Sequence, residues 1–89
     1  MDFKCSVTGT KVRNGKFVVA GFASASVENL NECVTMFMGF IDEYARDDGI
    51  NMTFARINNF EIPTLKMLRE IFLPLVPRRI SFFLEIANQ

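Results

Sequence analysis

Val12-Arg13-Asn14-Gly15-Lys16-Phe17 is the stretch on which the fold turns. An Asn-Gly pair tolerates positive φ at both central positions of a two-residue loop, the requirement of a type I′ hairpin. With Asn14-Gly15 as that loop, Arg13 faces Lys16, Val12 faces Phe17 and, in unbroken register, Val7 faces Phe22. Facing residues share a side of a sheet. One side then collects Phe3, Cys5, Val7, Val18, Ala20 and Phe22. The other collects Lys4, Ser6, Thr8, Thr10 and Ala23, with Phe17 and Val19 near the turn. The first set is the expected core face.

Downstream of the hairpin, Ser26 is the N-cap candidate for a helix over 27–46, with Glu28 near the positive end of its dipole. Leu30, Val34, Phe37, Ile41 and Tyr44 recur at three- and four-residue steps, and Gly49 is the expected left-handed stop. Apolar side chains from Met36 round to Met38 cover about 200° of this helix, more than packing on a sheet requires. The flank of Cys33, Met36 and Phe40 must therefore meet the second helix or another chain.

Residues 52–57 read as a third strand with Met52 and Phe54 inward and Thr53 and Ala55 outward, followed by a turn at Asn58-Asn59. A second helix over 63–72 starts on a proline, which a first turn accepts, and ends before Pro74. Leu65, Leu68 and Phe72 form its inward stripe, with Ile71 and Met67 on a flank. Over 80–86, Ile80, Phe82, Leu84 and Ile86 alternate to one side of a last strand. The order is β-β-α-β-α-β, with strands two, three and four parallel through helical crossovers. The expected architecture is an α+β two-layer sandwich, a four-stranded mixed sheet with two helices on one face, formed by a single domain over 1–89. Such a sheet leaves its other face uncovered, carrying Phe17, Val19, Ile57 and Phe83.

Composition narrows the chemistry. With 49% hydrophobic residues and ten Phe, the chain can fill a core without disulfide or metal. Ten basic side chains balance ten acidic ones, which removes the usual electrostatic argument for nucleic acid. The charges are unevenly spread: residues 1–25 are net +3 and residues 26–51 net −5. Histidine is absent, so the commonest general base and zinc ligand are missing. Cys5 and Cys33, far apart and outside any C-x-x-C arrangement, are expected as two buried free thiols, which favours a reducing, cytoplasmic setting. The longest apolar tract falls short of the roughly 20 residues of a membrane span, and no charged segment followed by an apolar one marks a signal peptide. Asp47-Asp48-Gly49 with Asn51 resembles the start of a calcium loop but lacks the closing Glu. It reads as a solvated helix end. No cofactor, metal site or catalytic residue is expected.

The functional expectation is a small non-enzymatic protein-protein interaction module. Inhibitors, adaptors and regulators, including viral or phage host-takeover factors, are often of this kind. It self-associates as a homodimer through the open sheet face (Phe17, Val19, Ile57, Phe83), with the Met36 and Phe40 flank as second surface. The alternative is a single-stranded nucleic-acid binder. There the basic hairpin of Lys11, Arg13 and Lys16, with Arg78 and Arg79, holds phosphates while sheet aromatics stack bases.

Overall fold

The Asn14-Gly15 turn adopts the expected geometry, with φ of 54° and 76°, the two positive values among the described residues. The computed structural model describes residues 3–47, 49–58 and 61–87, without the side chains of Phe3, Ile62, Ile86 and Ala87. The expectations for Asp48, for Asn59 and for the side chains of Phe3 and Ile86 therefore lie outside the described set. The elements are β1 (Phe3–Arg13), β2 (Lys16–Val27), α1 (Leu30–Glu43), β3 (Met52–Asn58), α2 (Ile62–Phe72) running into a short 3-10 turn (Leu73–Leu75), and β4 (Ser81–Ala87). They form one four-stranded sheet in the order β2-β1-β3-β4. β1 is antiparallel to both neighbours, and β3 and β4 are parallel. Hence β2, β3 and β4 share one direction, as the helical crossovers require. The two crossovers step the same way across the sheet, so the usual right-handed sense lands both helices on one face. The α+β sandwich read from the sequence is the observed one.

The register near the turn also matches, with Arg13 opposite Lys16 and Val12 opposite Phe17. It then slips: Thr10 faces Val19 while Gly9 faces Gly21, leaving Ala20 as an extra residue on β2. One inserted residue exchanges the two sides of everything beyond it. Val7 consequently faces Ala23, and Thr8 faces Phe22. Ala23 and Val27 join the core, and Phe22 points away from it, 57% exposed. The expected inward placement of Phe22 and outward placement of Ala23 are both reversed.

The bulge sits beside a seat for α1. Gly9 and Gly21 are paired on the helix side, and two aromatic rings lie on them. A Cβ at Gly9 would come within 3.2 Å of Phe40 Cζ, and one at Gly21 within 2.6 Å of the Tyr44 ring. Phe40 and Tyr44 themselves pack with centroids 5.1 Å apart. The α1 stripe is thereby turned from the expected line: Cys33, Phe37 and Phe40 are its buried residues, with Leu30, Val34, Ile41 and Tyr44 beside them. Phe40, expected on a flank available to partners, is sealed against β1 at 2% exposure. Met36 is half-buried against the same core.

α1 also starts later than Ser26, which is still paired with Lys4 in the sheet. Asn29 is the N-cap: its Oδ1 accepts from the Glu32 backbone N–H at 3.0 Å, while a Glu32 carboxylate oxygen accepts from the Glu28 N–H at 2.6 Å. The two bonds satisfy the Glu32 N–H in the first turn and the Glu28 N–H just before the cap, more than a lone Ser can offer. The helix ends at Glu43, well before Gly49, which does not adopt positive φ. Asp47 turns the chain instead, its Oδ1 accepting from the Gly49 N–H at 2.8 Å.

β3 reverses its expected sides as well. Its pairing with β1 puts Thr53 opposite Gly9, Ala55 opposite Val7 and Ile57 opposite Cys5, so Thr53, Ala55 and Ile57 are the buried ones. Met52 and Phe54 face the other way. Small side chains suffice beneath the helices because large ones come down from above. Phe37 stacks on Phe72 at 4.0 Å and meets Phe82 edge-on at 5.6 Å, joining α1, α2 and β4. Leu65, Leu68 and Phe72 are buried as the α2 pattern predicts.

Two substitutions test this packing in denaturant titrations. Gly21→Ala forces Tyr44 from its seat and should lower stability by about 1–3 kcal/mol, the usual cost of overpacking. Thr53→Val should raise it by about 1 kcal/mol, because the buried Thr53 Oγ1 has no hydrogen-bond partner in the protein.

Candidate sheet-face interface

The sheet face opposite the helices is covered by no element of this chain among the described residues. Its side chains follow from the registers. Phe22, Thr8, Phe54 and Phe83 are successive neighbours across β2, β1, β3 and β4, forming one row. The next row toward the hairpin turn is Val19, Thr10, Met52 and Ser81, and the hairpin continues it with Phe17 and Val12. In the opposite direction the row is Ser24, Ser6, Arg56 and Glu85. The open face is thus apolar toward the turn and polar toward the far end.

Within the apolar half, Phe54 and Phe83 stack with centroids 5.5 Å apart. Phe17 and Val19 are each 64% exposed, and Val12, Phe22 and Phe83 are also largely in contact with solvent. Strand spacing near 4.8 Å and a rise near 3.3 Å per residue give this half a footprint of roughly 300 Å². The largest apolar patch on an ordinary monomer is of this size and is often functional.

Of the residues expected on this face, Phe17, Val19 and Phe83 are there. Ile57 is not: it lies 1% exposed beneath the helices, opposite Cys5, because β3 takes its parity from β1. Phe54 holds the corresponding position on the open side. Phe22 and Phe54 were expected inward, Phe22 from an unbroken hairpin register and Phe54 from the alternation of the third strand, whereas Val12 sits opposite Phe17 as the turn register requires. The available signal was the isolated glycines Gly9 and Gly21 inside strand patterns, which suggest a bulge or a close backbone approach.

The basic residues of the hairpin do not share the aromatic side, although Lys4 and Arg56 lie on the open face beyond it. Lys11 faces Val18, and Arg13 faces Lys16, on the helix side of the hairpin, whereas Val12 and Phe17 alternate to the open side. A Cβ at Gly49 would lie 3.5 Å from Lys11 Cδ, so the Lys11 stem passes the loop that follows α1. Arg79 reaches the same loop: its guanidinium donates to the carbonyls of Ala45 at 3.2 Å, Arg46 at 3.5 Å and Asp47 at 3.3 Å. A cation on carbonyls that have run out of helical partners complements the negative end of the α1 dipole. Arg78, next to it in the turn before β4, is exposed.

Elsewhere the surface has shallow clefts, one bordered by Val27, Asn29, Glu32 and Met36, another by Met38, Ile41, Asp42, Arg46 and Leu75. Among the described residues no three His, Cys, Asp or Glu side chains gather into a possible metal site. No helix among them is long and apolar enough to cross a membrane. No protein-family model, curated protein or solved structure matches this chain.

Arg79 and Arg78 separate a structural from a surface role. Arg79→Gln should cost about 1–2 kcal/mol of unfolding free energy by losing charge-assisted hydrogen bonds. Arg78→Gln should stay within about 0.5 kcal/mol, as exposed substitutions do. Urea unfolding of both variants makes the comparison.

Proposed function

We propose that this chain is a non-enzymatic protein-interaction module whose open sheet face is its docking surface, with a second copy of the chain as occupant. The observation that carries this is the row Phe22, Thr8, Phe54 and Phe83, with Phe17, Val19 and Val12 beyond it. Burying these side chains is favourable at roughly 25 cal/mol per Å² of apolar surface. A two-fold axis lying in the plane between two such faces sets one row against its counterpart, and offset or edge-on aromatic pairs follow readily from that arrangement. The polar end, with Lys4, Arg56, Glu85 and the serines, then forms a rim.

Size sets the strength. An apolar footprint of about 300 Å² is well below the roughly 800 Å² per partner of a standard stable interface. The expected dimer is therefore weak, with a dissociation constant on the order of micromolar or above. A binding surface this accessible also suits a transient heterologous partner, in keeping with an inhibitor, adaptor or regulator. Single-stranded nucleic acid fits less well, because Lys11, Arg13 and Lys16 lie on the helix side of the hairpin while the stacking surface lies on the other.

Sedimentation equilibrium over a concentration series tests the reading. The wild-type chain should show reversible, concentration-dependent self-association. Phe17→Lys combined with Val19→Lys should abolish it while leaving the unfolding free energy within about 0.5 kcal/mol per site, as expected of exposed positions. A strictly monomeric wild type at millimolar concentration would remove the dimer. Tight binding of a single-stranded oligonucleotide at low salt, lost in the same double variant, would reassign the face to nucleic acid.

A further inference from the structure

The Sγ atoms of Cys5 on β1 and Cys33 in the first half of α1 lie 2.6 Å apart, and both residues are 1% exposed. Cys5 is on the core face of the sheet, between Ala25 of β2 and Ile57 of β3. Cys33 opens the buried stripe of α1, and its backbone N–H donates to Asn29 O at 3.4 Å. The two thiols therefore meet across the boundary between sheet and helix layer. Their separation is inside the contact distance of two sulfur atoms and only about 0.5 Å beyond a disulfide bond.

We propose that Cys5 and Cys33 form a dithiol–disulfide couple that is oxidised by exchange with a low-molecular-weight disulfide. The Cys5 thiolate attacks one sulfur of the external disulfide, forming a mixed disulfide and releasing the first thiolate. Cys33 gives up its proton, and its sulfur attacks Cys5 Sγ and expels the second thiolate. The protein dithiol loses two electrons and two protons, and the external disulfide becomes two thiols. Either sulfur can donate in this contact; with Cys33 as donor the hydrogen bond lowers the pKa of Cys5 and makes it the first nucleophile, while the same bond and burial raise that of Cys33. With both sulfurs buried, the rate is set by local opening at this end of the sandwich.

The product ties β1 to α1 across a segment with a sequence separation of 28 residues. A covalent link of this span removes entropy from the unfolded chain and adds stability without altering the open sheet face, which lies on the other side of β1. The proposal is independent of the docking role.

The test is refolding of the full chain in a glutathione redox buffer, where burial cannot block access, beside incubation of the native protein in the same buffer. Samples are acid-quenched, denatured, alkylated and weighed. The expected product of refolding is a monomer lighter by two hydrogens, carrying neither alkyl label nor glutathione. Its midpoint of thermal unfolding should lie about 10 °C or more above that of the reduced protein, returning on reduction. Cys5→Ser and Cys33→Ser should each retain one reactive sulfur and show no such redox-dependent shift. Two labels, stable glutathione adducts or a disulfide-linked pair of chains after refolding would overturn the proposal. So would an internal disulfide that lowers the melting point.

Discussion

The sandwich depends on a place where a helix touches bare backbone. Gly9 and Gly21 face each other across β1 and β2, and Phe40 of α1 and Tyr44 at its C-cap rest on them. Any side chain on Gly21 would collide with the Tyr44 ring. The adjoining extra residue, Ala20, lets the two glycines come opposite each other while the Asn14-Gly15 turn keeps its own pairing. Without that insertion the turn and the glycine seat would demand incompatible registers. The bulge reconciles them.

Its consequence reaches both faces. Beyond the insertion, β2 presents Ala23 and Val27 to the helices and Phe22 to the open side. β1 passes its own parity to β3, so Thr53, Ala55 and Ile57 go under the helices and Met52 and Phe54 emerge opposite. Small residues occupy the sheet where large ones descend from α1 and α2, with Phe37, Phe72 and Phe82 in mutual contact. Dense packing of this kind leaves little freedom in which side chain fills which space. The large aromatics that do not fit above the sheet gather below it.

α1 bridges the layers at three stations along its length: Cys33 against Cys5, Phe37 against α2 and β4, and Phe40 with Tyr44 on the glycine pair. Its far end is held electrostatically, by Arg79 on the carbonyls of residues 45–47. Lys11 and Arg79 both lie against the loop after α1. Strand alternation turns the basic hairpin residues and the aromatic surface in opposite directions.

The sequence by itself determined the order of elements, the Asn14-Gly15 turn, the α2 stripe of Leu65, Leu68 and Phe72, and the existence of an uncovered sheet face bearing Phe17, Val19 and Phe83. These follow from local geometry: turn dihedrals, helical and strand periodicity, and the connection rules of parallel strands. Which side each residue beyond the bulge occupies was decided only by tertiary structure. A single inserted residue inverts alternation, and its presence depends on the distant rings of Phe40 and Tyr44 rather than on hairpin polarity. The same holds for Ile57 and Phe54, whose exchange is imposed by pairing with β1, and for the meeting of Cys5 with Cys33, which no spacing encodes. Local signals carry period; only packing carries phase.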